Sequence, residues 1–566
     1  MAMSEKRKIP IGIEDFKELV EKDCCFADKT LLIKAILDSG TKVSLFTRPR
    51  RFGKTLNMSM LRYFFDRSVG NSADIFKGLK ISAAGNKYLS HMGQYPVISL
   101  SLKSMECDTY EETITEFIRL VSVEFRRHKK LLSDLEMFDS EREEFLNICN
   151  QREKASYKTA LKFLTDCLYQ AYEKKVIVLI DEYDVPLQNA QAHHFYDKMV
   201  KFIRAVFESV FKTNDSLEFG VLTGCLRVSK ESIFTGLNNF DVYSVTVNAC
   251  SEYFGFTESE VKDILSEYDL HDYFPEVKEW YDGYLFGETE IYNPWSVMKY
   301  VKQAATSSKP LPMPYWSHTS SNSIIKELIE RSKEASALRD KIETLMNGGS
   351  LKEPLYEELT YSEITVTKDS IWSFLLHSGY LKAISMTLDR DTDEAMLELV
   401  LPNKEIRTIY RRTIIQWFDN NVQSAGTLDM FRAVIGGDVQ KFEFEVRRWI
   451  KQSISYHDTK ENFYHGFLSG LLMGYEGYTV DSNREAGDGR SDIRIFESLS
   501  KSIAVIIEVK PADSKNDLER MADEALKQID SNGYPEPFIQ DGYKKIIKYG
   551  AAFFKKECRI KMEYTM

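Results

Sequence analysis

The chain has 566 residues, of which 43% are hydrophobic, 12% aromatic and 28% charged. This length predicts about three or four domains, and the high aromatic content excludes a mainly disordered chain. The net charge of −11 excludes a general attraction to nucleic acid, so any such binding must come from a local basic surface.

The 8 cysteines are scattered without a CxxC pair, which excludes a common zinc pattern or a disulfide framework and suits a reducing cytoplasm. The stretch from Met1 to Pro10 is polar and basic and has no apolar signal core. No apolar run approaches the ~20 residues of a membrane span. We therefore expect a cytoplasmic protein that is not inserted in a membrane.

The first stretch with a chemical signature is Arg48 to Thr55, which follows the apolar run Val43 to Phe46 and precedes a helical pattern. A strand, a tight loop and a helix that starts with Gly-Lys-Thr are the layout of a phosphate-binding P-loop. The unpaired N–H groups and the positive dipole end of the helix stabilise an anion there. Lys54 would reach the β- and γ-phosphates, and Thr55 would offer its hydroxyl to Mg²⁺.

Arg48 stands where the usual P-loop pattern has a glycine, so a backbone that needs a positive φ would have to adapt. Together with Pro49, Arg50 and Arg51, it makes the loop basic and stiff. The alternative interpretation is a basic turn between a core strand and a core helix.

A second signature lies at the end of the apolar run Val176 to Ile180, where Asp181 and Glu182 follow. Such a run predicts a buried parallel strand with its acids at the carboxyl end, where ligands bind in open α/β sheets. Asp181 would hold Mg²⁺ through water, and Glu182 would orient the attacking water. The alternative is a central strand that is followed by a charged loop.

The next predicted strand, Leu217 to Gly224, carries Thr223 near its end. In P-loop ATPases a polar residue at this place can sense the γ-phosphate, and Arg227 follows closely enough to reach phosphate as well. The alternative is a Thr-Gly turn with a surface arginine.

The middle of the chain is predicted to be mainly helical. Aromatic residues from Trp280 to Gly287 and from Tyr292 to Val297 are expected to pack a small helical lid rather than to stack on bases. Residues 306–314 resemble a linker. A helix, a turn and a strand pair between Trp372 and Leu401 predict a winged-helix-like piece, and the lack of a basic recognition helix favours a spacer or contact module.

Towards the C-terminus, a predicted helix from Glu461 to Tyr475 precedes a strand that contains Asp492 and a strand from Ile503 to Lys510. Because side chains alternate along a strand, Glu508 and Lys510 share a face. Asp492 meets Glu508 if the two strands form a hairpin. Carboxylates and a lysine on one face predict a Mg²⁺ or Mn²⁺ site for phosphodiester cleavage.

The expected metal ligands are Asp492, Glu508, the carbonyl of Val509 and Glu461, while Lys510 would position the water or stabilise the transition state. The alternative is a charged strand end beside a core strand. The basic C-terminal stretch from Lys544 to Lys561 could follow a phosphate backbone, or it could be the solvent face of two final strands.

Taken together, these motifs resemble a bacterial family with an N-terminal AAA-ATPase-like domain and a C-terminal PD-(D/E)XK nuclease domain. The resemblance rests on Phe26 to Thr30, Arg48 to Thr55, Val176 to Asp184, Trp280 to Gly287, Tyr292 to Val297, Phe463 to Gly466, Asp492 and Glu508 to Lys510. The missing loop glycine is itself a feature of this family, and Ser491 replaces the proline of the motif. The resemblance implies ATP binding by Gly53, Lys54, Thr55, Asp181 and Glu182, and a nuclease core of Asp492, Glu508 and Lys510.

We therefore expect an α/β chain. It would comprise a P-loop NTPase parallel sheet with helices in residues 1–240, a helical lid in 241–305, a mainly helical, winged-helix-like region in 306–425 and a C-terminal α/β restriction-endonuclease-like domain in 438–566. Arg51, Phe52 and Thr223 complete the expected ATP contacts.

The leading hypothesis is an ATP-binding and ATP-hydrolysing protein that controls a Mg²⁺-dependent nuclease, with DNA as the substrate. One alternative is a nucleotide-dependent switch whose nuclease-like domain binds nucleic acid or a protein partner without cleaving. Another is a protein-interaction scaffold that uses neither site. The sequence leaves the oligomeric state open.

Overall fold

A computed structural model describes residues 6–226, 233, 239–307, 310–318, 341–342, 344–346, 348–357, 370–390, 393–411, 426–453, 461–472, 478–486, 489–497 and 501–565. For residues 134, 426–428, 451–453, 461–463, 466, 470, 482–486 and 489–492 it describes the backbone only. The described residues belong to two compact units, one within Met1–His318 and Ser350–Thr408 and the other within Thr319–Gly349 and Ile409–Met566.

The first unit is built on a parallel sheet of five strands. They are β1 (Val43–Thr47), β2 (Val97–Ser101), β3 (Val176–Asp181), β4 (Leu217–Gly224) and β5 (Phe240–Tyr243). Their spatial order is β2-β3-β4-β1-β5, and all neighbours are parallel. Every residue of β1 and β3 is buried, as the continuous apolar runs predict for central parallel strands. The carboxyl ends of all five strands therefore meet at one edge of the sheet.

Two helices precede β1, and further helices connect the strands because parallel neighbours require crossover connections. They are Phe16–Glu21, Leu31–Ser39, Lys54–Phe65, Ser72–Ile75, Asn86–Leu89, Tyr110–Arg127, Leu131–Asp134, Asp139–Cys149, Ala160–Tyr172, Val185–Ala192 and Tyr196–Phe211. In the helix Tyr110–Arg127, Phe117, Val121 and Phe125 are buried at spacings of four, which gives one apolar face. A new helix begins at Asp139, directly after Phe138.

The segment that we call the lid follows this sheet. It consists of the helices Glu258–Glu267, Phe274–Tyr281 and Pro294–Ala304 and the hairpin of β6 (Tyr284–Phe286) and β7 (Thr289–Ile291). Tyr281, Tyr292 and Tyr300 lie in its own core with Val261 and Leu265. The aromatic residues thus pack the lid, as predicted.

The described part of the middle region contains an antiparallel sheet of β8 (Leu351–Pro354), β9 (Lys382–Leu388) and β10 (Ala395–Val400), in the order β8-β10-β9. The helix Ser370–His377 precedes the β9–β10 pair, which is the predicted sequence of helix, turn and strand pair. A further helical segment covers residues 404–411. Residues 308 and 309 of the predicted linker lie outside the described residues.

The second unit is built on a mixed sheet with the order β11-β12-β13-β14-β15. Its strands are β11 (Tyr478–Ala486), β12 (Gly489–Glu497), β13 (Ile503–Pro511), β14 (Lys545–Phe554) and β15 (Glu557–Thr565). Only the β13–β14 pair is parallel. The predicted pairing of β12 with β13 is confirmed, whereas β11 was not predicted from the sequence.

Helices cover both faces of this sheet. Gly426–Gly436, Val439–Ser453 and Glu461–Leu472 share a core with Val505, Ile507 and Val509 on one face. Leu518–Ser531 packs on the other face, where Ala504 and Ile506 point, and Glu536–Gln540 follows it. None of the helices in the described part of the chain combines the length and apolarity that crossing a bilayer requires.

Candidate functional site

The carboxyl edge of the first sheet brings three of the predicted residues together. Because β4 lies between β1 and β3, Thr223 stands between the end of β1 and the acidic end of β3. The Thr55 hydroxyl donates to Asp181 Oδ2 over 2.7 Å, and the Thr223 hydroxyl donates to Asp181 Oδ1. One carboxylate is therefore oriented by hydroxyl groups from two different elements.

The loop before the helix Lys54–Phe65 has the backbone that phosphate binding needs. Gly53 has φ +82° and nothing within 4 Å of the place where a Cβ would be, so the backbone is open on that side. The helix begins without a side-chain cap on its N–H groups. Its N-terminal N–H groups and dipole are therefore available to an anion.

The positive φ values of this loop lie at Arg51 (70°) and Gly53 (82°), and Arg48 has none. The backbone therefore accommodates Arg48 without the conformation that a glycine would permit. Arg48 is not a surface residue of this basic turn, because its side chain is completely buried.

Lys54 is 4% exposed, and its amine donates to the carbonyls of Arg48 over 3.0 Å and Pro49 over 3.1 Å. Burial by itself would lower its pKa, but Cys225 and the neighbouring carboxylates outweigh this effect and raise the pKa. Lys54 is thus a cation whose hydrogen bonds are satisfied by the loop that it would share with a phosphate.

The acidic end of β3 is buried, and burial raises the pKa of Asp181 although its two hydroxyl donors act in the opposite direction. Glu182 follows with φ +54°, and its N–H donates to the Thr223 hydroxyl over 3.4 Å. The backbone thus takes a left-handed turn directly after β3.

Asp184 is a residue to which the sequence assigned no role. It is 2% exposed, and its Oδ2 accepts from the backbone N–H groups of Cys225 (2.9 Å) and Leu226 (3.1 Å). It thereby fastens the chain just beyond Thr223 to the end of β3. The only sequence signal was a third acid close to the end of an apolar strand. Arg227 lies outside the described residues.

The side chains of Arg51 and Phe52 point to the lid. The Arg51 guanidinium lies 3.9 Å from the ring centroid of Trp295. Phe52 is fully buried against Tyr284 and Phe286, at centroid distances of 4.9 and 5.3 Å. The backbone N–H groups, rather than the side chains, are the parts of these two residues that suit phosphate contact.

The second unit carries the other predicted group. Glu508 lies on β13 and is 2% exposed, and Gln528 from the helix Leu518–Ser531 donates to Glu508 Oε1. A Cβ at Gly550, the β14 partner of Glu508, would lie 2.2 Å from the Ala522 carbonyl. The glycine therefore lets the helix approach closely enough for Gln528 to reach Glu508.

Sequence reasoning gave Gln528 no function. The sequence indicated only that Gln528 is a polar residue three positions after Ala525, beside the apolar stripe of an amphipathic helix.

Glu508 and Lys510 alternate with the buried Val509 along β13 and so lie on one face of the sheet. Arg494 is on the face of the helix Leu518–Ser531, since its guanidinium lies 5.7 Å from the ring centroid of Phe538. Asp492, of which the backbone is described, precedes Arg494 by two residues in β12. The ladder between β12 and β13 reaches the pair Ile493 and Ile507, which are the neighbours of Asp492 and Glu508.

The side chains of Asp492 and Glu461 lie outside the described part of the structure. The helix Glu461–Leu472 packs on the face opposite to Glu508. Among the described side chains, no group of three or more His, Cys, Asp or Glu residues is arranged to hold a metal ion. The described part of the predicted site is thus Glu508 with its neighbour Gln528, together with Val509 and Lys510 of the same strand.

Three basic residues of the last two strands are engaged with acids of the same unit. Lys548 contacts Asp530 at 2.8 Å, and Lys561 contacts Asp523 at 2.7 Å. Arg559 contacts Glu519 at 2.7 Å. These pairs favour the interpretation of a charged surface of two final strands.

Comparisons with known proteins give two family matches. A family model described as a predicted AAA-ATPase matches residues 10–234, and the model of the PD-(D/E)XK nuclease superfamily matches residues 459–563. An uncharacterized protein in the vnfD 5′ region of Azotobacter chroococcum mcd 1 is 26% identical over 416 residues, which cover 72% of this chain and 73% of that protein.

Two solved structures match parts of this chain. The Walker-type ATPase PABY2304 of Pyrococcus abyssi has 12% identity and a TM-score of 0.37, and the match covers 73% of this chain and 100% of that one. The ORC2 protein of Aeropyrum pernix has 12% identity and a TM-score of 0.24, with coverages of 68% and 92%. At these scores neither likeness carries an argument about this chain.

Proposed function

Since the chain combines an AAA-ATPase-like region with a region of the PD-(D/E)XK nuclease superfamily, we propose that it binds and hydrolyses ATP and thereby controls a Mg²⁺-dependent nuclease that acts on DNA. The observation that carries this proposal is the Asp181 carboxylate, which two hydroxyl groups orient beside the Gly53–Thr55 loop. Oxygen donors of this kind are the ligands that Mg²⁺ prefers.

In the proposed ATP site, the N–H groups from Arg51 to Thr55 and the Lys54 amine would bind the phosphates. Thr55 and Asp181 would hold Mg²⁺, which supplies charge neutralisation when bound. Glu182 would orient the attacking water, and Thr223 would link the γ-phosphate position to Asp181. The short distance of 2.7 Å between the Thr55 hydroxyl and Asp181 supports this assignment.

The test compares Lys54→Ala with Lys42→Ala by calorimetric titration of the full chain with Mg·ATP. Lys42 is a matched control, because it lies just before β1 and also donates to two backbone carbonyls, those of Leu217 and Glu218, at the opposite end of the sheet. We expect Lys54→Ala to weaken binding by about 10- to 100-fold, since it removes charge-assisted hydrogen bonds to phosphate. Equal affinities of the wild type and Lys54→Ala would reject the proposed phosphate site.

In the proposed nuclease site, Asp492, Glu508 and the carbonyl of Val509 would hold Mg²⁺ or Mn²⁺, with Glu461 as a further candidate ligand. A bound metal ion supplies an acidified water and stabilises negative charge on the phosphate. Lys510, which shares the face of Glu508, would position that water or the phosphate oxygen. Gln528 keeps the Glu508 carboxylate in one orientation, which supports the assignment of Glu508 as a ligand.

Plasmid DNA with Mg²⁺ or Mn²⁺ tests this site, with Asp492→Ala, Glu508→Gln and Lys510→Ala beside the wild type. Lys545→Ala is the control, because Lys545 lies at the opposite end of the same sheet, paired with Ile503. We expect each site variant to lower the cleavage rate by about 100-fold or more. Cleavage that survives both Asp492→Ala and Lys510→Ala would place the active site elsewhere.

The control relationship is tested by measuring cleavage without nucleotide, with ADP and with ATP. We expect the nucleotide dependence to vanish in Lys54→Ala. Nucleic-acid binding without cleavage under any metal would instead favour a nucleotide-dependent switch.

A further inference from the structure

Arg48 is a cation buried beneath the proposed phosphate loop. Its side chain has no exposed surface, and its Nη1 donates to the carbonyls of Thr47 at 2.9 Å and Tyr243 at 2.6 Å. The guanidinium carbon lies 5.3 Å from the ring centroid of Phe254 and 5.0 Å from that of Phe286. The side chain therefore joins the ends of β1 and β5 to the β6 strand of the lid.

This placement is costly. Burial lowers the pKa of Arg48 to about 9, so the group is still charged at neutral pH. Carbonyl dipoles and aromatic faces surround the charge, and cation–π contacts of this kind stabilise a desolvated guanidinium. An apolar side chain would fill the same space at a lower desolvation cost. The directed contacts of the Arg48 guanidinium therefore need a functional explanation.

The backbone of Arg48 is part of the phosphate loop, whereas its side chain contacts the lid. Its N–H donates to the Gly224 carbonyl over 3.0 Å, and its carbonyl accepts from the Lys54 amine over 3.0 Å. The Phe52 carbonyl adds a contact by accepting from the Gly255 N–H over 3.0 Å. A shift of the lid would thus move the carbonyl that holds the Lys54 amine.

We propose that Arg48 is a positioning residue for the nucleotide site, whose guanidinium fixes the phosphate loop against the lid. The contacts of this side chain take over the task that backbone freedom performs where the loop has a glycine. This inference rests on the proposed ATP binding and extends it, because it makes a seated lid a condition for phosphate binding.

The experiment uses Arg48→Gly and Arg48→Lys in the full chain, with Val277→Ala as the control. Arg48→Gly introduces the glycine that an ordinary P-loop has at this position. If backbone freedom favours phosphate binding, this variant binds more tightly. If the side-chain contacts favour it, the variant binds more weakly. Arg48→Lys keeps the charge and most of the volume but loses the planar fork. Val277 is fully buried in the lid core and has no part in the loop contact, so it controls for general loss of lid stability.

Affinity for Mg·ADP and Mg·ATP is measured by calorimetric titration, and thermal unfolding reports whether each variant is folded. We expect Arg48→Gly to bind about tenfold more weakly or worse, Arg48→Lys to lie between it and the wild type, and Val277→Ala to keep wild-type affinity at a lower Tm. Amide hydrogen exchange of residues 284–295 should increase in both Arg48 variants without nucleotide.

Wild-type affinity in Arg48→Gly, or in Arg48→Lys if the glycine variant does not fold, would overturn the inference and leave the proposed ATP site intact. A wild-type protein that binds neither nucleotide would overturn both. An equal loss of affinity in Val277→Ala would also overturn the inference, since general lid stability would then explain the effect.

Discussion

Asp184 illustrates how one buried side chain organises backbone at the nucleotide edge. Its Oδ2 accepts the N–H groups of Cys225 and Leu226, and Gly224 is needed because a Cβ there would lie 2.5 Å from the Tyr183 ring and 2.8 Å from Asp184 Oδ1. We predict that Asp184→Ala lowers the free energy of unfolding by about 1–3 kcal/mol, because two buried N–H groups lose their acceptor.

Chemical denaturation measures this effect, and Asp184→Asn is the matched variant because its amide oxygen can still accept both bonds. Equal losses in the two variants would show that the charge of Asp184, rather than its acceptor oxygen, carries the stability.

Glu405 gives a prediction about pH. It is fully buried, and its carboxylate accepts hydrogen bonds from the Ser296 hydroxyl at 2.8 Å and from the backbone N–H of Trp316 at 2.9 Å. Burial raises its pKa from 4.5 to about 7, while the hydrogen bonds oppose the shift. Because the folded-state pKa exceeds the unfolded one, its stabilising contribution is complete below pH 4.5 and is lost as the pH rises through 7.

We therefore expect the wild type to lose on the order of 3 kcal/mol of unfolding free energy relative to Glu405→Gln between pH 4.5 and pH 8. Denaturation of both proteins across this range measures the difference. Parallel pH profiles would contradict the assignment of the effect to Glu405.

At the level of elements, β15 shows how the basic residues of a strand can be neutralised by acids of a neighbouring helix. Lys561 contacts Asp523 and Glu519 at 2.7 and 2.9 Å, and Arg559 contacts Glu519 at 2.7 Å. Since these acids project from the helix Leu518–Ser531, the strand and the helix satisfy each other's charges.

We predict that the double variant Arg559→Met/Lys561→Met changes DNA affinity by less than about twofold and leaves the salt dependence of binding unchanged. Partly exposed pairs of this kind contribute about 1 kcal/mol or less each, so the variant should fold. Fluorescence anisotropy at several salt concentrations measures both quantities. A salt slope that falls by about two would show instead that these cations contact phosphates.

At the scale of the whole molecule, the two compact units have separate sheets and separate cores. A ligand that binds only the folded first unit stabilises only that unit. We predict two calorimetric transitions, and Mg·ATP should raise the midpoint temperature of one of them. When ATP is at 100 times its Kd, the free energy of unfolding of that unit should increase by about 3 kcal/mol.

At the same ATP concentration, Lys54→Ala should reduce this gain to about 1.4 kcal/mol or less and leave the other transition in place. A single transition that moves as a whole with ATP would show that the units unfold together.

Local patterns were sufficient to predict the strands β1, β3 and β13 and the helix that begins at Lys54, because an apolar run and its polar ending are properties of adjacent residues. The alternation of side chains also placed Glu508 and Lys510 on one face. By contrast, β11 was missed, and the contact between Gln528 and Glu508 depends on Gly550 in a third element. Sequence spacing carries no information about such an approach.

The sequence by itself thus determined the two sets of chemical groups and the elements that present them, since hydrophobic periodicity and motif spacing are local. Only the tertiary structure decided that β4 separates β1 from β3 and that the Arg48 side chain is buried against the lid. It also decided that Arg559 and Lys561 of β15 are paired with acids. These features depend on which elements become neighbours, and burial and charge pairing between distant residues arise only when the chain has packed.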